Sequence, residues 1–152
     1  MIKRNCVEIQ AICPVARAVD VIGDRWSLLI VRAVLEGVRR FGALQRHLGI
    51  ASNILNDRLR TLMAKGVLEA KQASDGSAHL EYAPTKLGEG LFPVIVTLHQ
   101  WAETYLYAEG ERYAMLIERG SERPIRRLEL LRHDGGPLSA TNTVVYLPAA
   151  GD

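Results

Sequence analysis

Short polar side chains between residues 52 and 60 carry the clearest chemistry in this sequence. With Leu55, Leu59 and Leu62 on one side of a helix, an advance of about 100° per residue sends Asn53, Asp57 and Arg60 the other way, flanked by Ser52 and Asn56. An Asn amide can donate to and accept from the edge of adenine, and an Arg guanidinium can give two hydrogen bonds to guanine. The chemistry on offer is recognition of base edges. Alone, such a face is also what any amphipathic helix shows to water.

Cationic and hydrogen-bonding side chains surround that stretch. Arg39, Arg40, Arg46 and Arg58 lie close to it in sequence, and Lys71, Ser74, Ser77 and His79 stand where phosphate contacts would be made. Asp75 sits among the latter and would repel a phosphate unless its carboxylate serves the turn. Residues 1–66 hold 11 Lys/Arg against 5 Asp/Glu, whereas residues 67–152 hold 8 against 12, so a net charge of +2 conceals a basic N-terminal half suited to an anionic partner.

Other constellations are missing. Cys6 and Cys13 form no CxxC pair, and His47, His79, His99 and His133 are scattered, so neither zinc nor a disulfide framework is expected. No paired carboxylates in an apolar setting, Gly-rich phosphate loop or nucleophile elbow occurs, and the reading is of a protein that is not an enzyme and needs no cofactor. Trp26, Phe92, Trp101 and Tyr105 are either core residues or the walls of a pocket for a small apolar effector. No apolar run reaches the length of about 18 residues that a membrane span requires, and no secretory signal opens the chain, so a soluble, cytoplasmic protein is expected.

The elements that must position these residues follow from periodicity and punctuation. Pro14 opens a first helix that Gly23 ends; Asp24 caps a second, apolar nearly all round, that stops at Gly37. A short helix over 40–48, a tight connection over 49–51 and a helix over 52–65 make a helix-turn-helix. Two extended runs, 67–73 and 78–83, with Asp-Gly between them, make a hairpin, or wing. Thr85 caps a last long helix to about residue 106, in which Pro93 marks a kink or frayed first turns. Gly- and Pro-punctuated runs at 113–117, 125–131 and 143–147 predict a small β-rich appendage. The fold class expected is mainly α with a small β wing, plus that appendage, divided as an arm over 1–11, a winged helix-turn-helix over 12–107 and an extension over 108–152.

This order of elements, with Cys13-Pro14-Val15, Ile22-Gly23-Asp24-Arg25-Trp26, Arg40-Phe41, Leu55, Arg58-Leu59-Arg60, Gly66-Val67, Tyr82, Thr85, Leu87-Gly88 and Trp101, resembles the HxlR-type regulators, relatives of the MarR group. The resemblance covers residues 12–107. It implies a winged-helix homodimer that binds a double-stranded DNA operator and regulates transcription, dimerising through the first helix and the helix over 85–106. Two departures are visible: Ala51 stands where the family usually has a capping Ser, so Ser52 is expected to cap instead, and Leu131 and Asp134 replace a cysteine pair of some relatives' tails. In several such regulators the cysteine before Pro-Val responds to oxidants or electrophiles. Cys13 falls on that position, and with Cys6 it becomes a candidate redox sensor. The competing function is a winged-helix docking or dimerisation module that does not touch DNA.

Overall fold

The computed structural model describes residues 12–73 and 75–146. Pro14 occupies the first turn of α1 (Pro14–Ile22), where a missing N–H costs nothing, and the Gly23 N–H closes the helix on the Val19 carbonyl at 2.7 Å. No residue of α1 is buried; Val15 and Val19 are 70% and 57% exposed. Asp24 then organises the start of α2 (Ser27–Leu35): its Oδ1 accepts from the Trp26 and Ser27 amides at 2.8 and 3.0 Å, and Oδ2 accepts from the Ser27 hydroxyl. This helix is the centre of the N-terminal unit, with Ile30, Val31, Ala33 and Val34 sealed from solvent.

Helix α3 (Phe41–Leu48) buries Leu44 and ends at Gly49, whose φ of 61° is the left-handed geometry that lets the chain turn sharply into α4 (Ser52–Ala64). Leu55, Leu59 and Leu62 enter the core, fixing which face of α4 remains outside. The expected Ser52 cap is not formed. Ala51 holds the cap position with no side-chain bond, and Ser52 is the first helical residue, with its hydroxyl on the exposed side.

Strands β1 (Leu68–Gln72) and β2 (Leu80–Pro84) pair antiparallel from Leu68 with Pro84 to Gln72 with Leu80, and the chain before α3 adds to their edge: Arg40 bridges Glu81, and the Tyr82 N–H donates to the Arg39 carbonyl at 2.8 Å. The hairpin is thereby tied to the helix-turn-helix. Thr85 caps as expected, but what it caps is the single turn α5 (Lys86–Glu89). The helix expected to run from there to about residue 106, kinked or frayed at Pro93, is instead interrupted at 90–91 and restarts as α6 (Phe92–Tyr105), with Pro93 in the first turn where its ring and absent N–H are tolerated. Gly88 explains the tight junction: a Cβ there would stand 2.3 Å from the Val67 carbonyl oxygen.

The described residues divide into two compact units, one up to Leu98 and one from His99 onward. The second unit consists of the last turns of α6 followed by β-bridged turns. Ile117 bridges Pro124 around Gly120, Leu131 bridges Pro137 around Gly135, and a 3-10 turn spans Ala140–Asn142. Its extended runs pair through isolated bridges, because each doubles back over too few residues to build a ladder. Both ends of the Gln100 amide are used: Nε2 donates to the Arg126 carbonyl at 3.0 Å and Oε1 accepts from the Leu128 N–H at 2.9 Å.

Candidate nucleic-acid interface

Because the three core leucines pin α4 from behind, Ser52, Asn53, Asn56, Asp57 and Arg60 are all exposed. They do not share one electrostatic state. Asp57 is paired with its neighbour Arg58, whose Nη1 also lies 3.5 Å from Asp24 Oδ2. Arg58 therefore joins the start of α4 to the carboxylate that organises α2. Partial burial pulls the Asp24 carboxyl upward, but bonds from Ser27, the Trp26 and Ser27 amides and the Arg58 charge together hold it below its ordinary value. Among the residues expected to read bases, Ser52, Asn53, Asn56 and Arg60 take no part in these pairings of Arg58 with Asp57 and Asp24.

A cleft of about 520 Å³ opens beside them, with Asn53 and Ile54 on one wall and Asp24, Arg25 and Trp26 on the other. Arg25 and Ile54 were not among the expected site residues. Arg25 is exposed, with its guanidinium carbon 5.0 Å from the centroid of the Trp26 ring, an arrangement that steadies a cation at the mouth of the cleft. Ile54, 39% exposed, offers an apolar surface next to Asn53. Sequence offers a signal for Arg25, a cation directly before a half-buried aromatic, but none for Ile54, which periodicity leaves between the two faces.

A second cleft, of about 420 Å³, brings together Arg40 and Arg46 from the α3 region with His79 and Leu80 from the wing. Three expected phosphate-contacting residues thus meet at one place. Arg40 is engaged twice, by the Asp75 carboxylate and by Glu81 Oε1 at 3.2 Å. Hydrogen bonding from Ser77 and from Arg40 holds the Asp75 carboxyl far below the usual range, so the wing tip stays anionic but neutralised by Arg40. Its Oδ1 also accepts from the Ser77 N–H at 3.0 Å, the turn role expected of it. Arg39 is exposed, and Lys71 is held by Glu69 at 2.5 Å.

Ser74 and Cys6 lie outside the described residues. Cys13 is a half-buried free thiol at the residue preceding α1, and its carbonyl accepts from the Arg17 N–H at 3.1 Å. Of the four aromatic residues considered for an effector pocket, Trp26 lines the first cleft, Phe92 is 47% exposed, and Trp101 and Tyr105 contact each other at 6.1 Å between ring centroids. Among the described residues, no group able to hold a metal occurs and no helix is long and apolar enough to cross a membrane.

Residues 21–110 match the family described as HxlR-like helix-turn-helix. The HTH-type transcriptional regulator Rv3095 of Mycobacterium tuberculosis is 45% identical over 92 residues, which span 60% of this chain and 58% of that protein's length. Among solved structures, the candidate transcription factor PA1607 superposes with a TM-score of 0.85 at 49% identity, covering 92% of this chain and 98% of its own, so the likeness extends into the second unit. The oxidised form of the redox regulator HypR superposes with a TM-score of 0.57 at 28% identity, over 63% of this chain and all of its own.

Proposed function

This chain belongs to the HxlR-like helix-turn-helix family, and on that premise we propose that it is a sequence-specific DNA-binding transcription regulator, acting as a homodimer and as a repressor. The observation that carries the proposal is the outward face of α4. There Asn53, Asn56 and Arg60 stand exposed, Asn53 shares a cleft with Arg25, and Arg40 and Arg46 of the preceding α3 region line a second cleft with the wing. An α-helix fits a major groove about 12 Å wide, where these side chains meet base edges while the flanking arginines meet phosphates.

The test is a fluorescence-anisotropy titration of the protein against the DNA upstream of its own gene and against a scrambled duplex, each at two salt concentrations. Regulation by operator binding requires tighter binding to the upstream duplex and a steep loss of affinity with salt, each phosphate contact adding roughly −0.9 to the log-log slope. Equal, weak binding to both duplexes would favour a docking module instead.

Cys13 supports a second element, release of DNA on oxidation or electrophile attack. It is a half-buried free thiol at the head of α1, and a similar structure is of a regulator described as redox-active and solved in an oxidised form. Peroxide or quinone should weaken operator binding by the wild type and not by Cys13→Ser. Equal responses of the two proteins would assign the chemistry elsewhere, with Cys6→Ser as the next comparison.

A further inference from the structure

The second unit contains a cleft of its own, about 260 Å³, bounded by the last turns of α6 and the turns that follow. Its floor is apolar: Met115, Leu116, Pro124 and Ile125, with the ring of Tyr113. Met115 and Tyr113 are 63% and 42% exposed, so hydrocarbon lies uncovered in a concave site. The wall is held in place by Gln100, whose amide is spent on the backbone of residues 126 and 128 and is not available to a ligand. A wall fixed in advance reduces what binding must order.

Two opposite charges stand at this cleft without neutralising each other. Arg127 Nη1 donates to the neutral Thr104 hydroxyl at 2.9 Å. Glu103 Oε1 lies 3.0 Å from His99 Nε2, which is shielded from water yet lacks the alignment of a hydrogen bond. No ion pair joins Arg127 to Glu103 among the described residues. A simple anion would meet Glu103 as a like charge and a simple cation would meet Arg127, whereas a zwitterion with an apolar side chain satisfies both and covers the floor. A cavity of about 150 Å³ holds benzene, so this one has room for a leucine- or phenylalanine-sized molecule.

We propose that this cleft binds a small apolar α-amino acid, its carboxylate on Arg127, its ammonium on Glu103 and its side chain against Tyr113, Met115 and Ile125. The site goes beyond DNA recognition and does not depend on it, so it is tested on the full chain without DNA. ¹⁵N-labelled protein is titrated with leucine, isoleucine, methionine and phenylalanine, and with 4-methylpentanoate and 3-methylbutylamine, which keep the hydrocarbon and one charge each. At least one amino acid should give saturable shifts in amides of residues 99–103 and 113–127, and both single-charge analogues should bind about tenfold or more weaker, the loss of one charged hydrogen bond. Arg127→Gln should weaken binding of the amino acid and bind the amine as well as the wild type or better, and Glu103→Gln should weaken binding of the amino acid and bind the acid as well as the wild type or better, since each change also removes a like charge. Absence of saturable shifts for all four amino acids at millimolar concentration, shifts confined to other residues, or an analogue that binds as well as its amino acid would overturn the proposal.

Discussion

Arg40 serves two competing ends. The proposed DNA contact needs its guanidinium for a phosphate, yet beside Arg46 and His79 it is occupied by Asp75 and Glu81 of the wing. If a phosphate must displace Asp75 to reach Arg40, Asp75→Asn should raise duplex affinity and steepen the log-log salt dependence by about 0.9, one added phosphate contact. The Asn carbonyl can still accept from the Ser77 amide, so the turn survives. Unchanged affinity and slope in the salt titration would leave Arg40 as a wing clamp alone. Asp24 gives a pH prediction of definite sign. Its folded pKa lies below the ordinary value of 3.8, so its stabilising effect is fully present above about that pH and is lost as pH falls further, through the folded pKa. Thermal melts should show the wild type losing its advantage over Asp24→Asn between pH 4 and the acid limit, and a constant difference across that range would contradict the assignment. The advantage itself should be smaller than the roughly 0.5–2 kcal/mol cost of removing a capping side chain to Ala, because Asn keeps one acceptor oxygen for the Trp26 and Ser27 amides. The polar face of α4 was legible because three leucines at helical spacing define it. The pairings of Arg40 with Asp75 and of Arg58 with Asp24 were not, since each joins residues more than 30 positions apart and no local pattern encodes such a contact.

The elements follow local chemistry wherever that chemistry is local. Pro14, Gly49, Gly66 and the Asp-Gly turn each stand at a boundary that the structure keeps, and the hairpin forms within two residues of its expected ends. In the region from 85 to 92 Pro93 announced a kink or frayed turns but not a complete break, because the apolar stripe continues through Leu87, Leu91 and Ile95 while the backbone does not. The break at 90–91 is imposed by packing: α5 is pressed so closely on the entry to β1 that Gly88 nearly touches the Val67 carbonyl, and Thr85 donates its hydroxyl to the Gly66 carbonyl at 2.5 Å from the other side. The added strand edge at Arg39 and Arg40 was equally invisible, its partner lying about 40 residues ahead. Gly88→Ala tests the close approach. A methyl cannot share space with a backbone oxygen, so α5 must shift, and urea denaturation should report a loss of about 1–3 kcal/mol, the usual cost of overpacking. A variant as stable as the wild type would mean that α5 rides freely on the hairpin.

At the level of the whole molecule, the apolar surface left uncovered bears on the proposed dimer. Val15 and Val19 on α1 and Phe92, Val94 and Leu98 on α6 are each at least 41% exposed, on helices that contribute little to the buried core of their own chain. Apolar side chains aligned on a helix in this way lower their free energy when a second copy covers them, and a two-fold dimer uses the same patch twice. The proposed dimer would also set what the protein can recognise. Two copies of α4 entering successive major grooves need half-sites about 34–36 Å apart, one turn of DNA. Val19→Glu separates these effects, because Val19 is 57% exposed and its replacement leaves the core around Ile30, Leu55 and Leu59 intact. Sedimentation equilibrium should give twice the chain mass for the wild type and the single-chain mass for the variant, with the far-ultraviolet circular dichroism unchanged. The variant should then bind a single half-site as the wild-type chain does and lose the extra affinity for a paired site, since that increment comes from engaging both sites at once rather than from any new contact. A variant that stays dimeric and keeps its paired-site affinity would remove α1 from the interface and leave α6 to supply it.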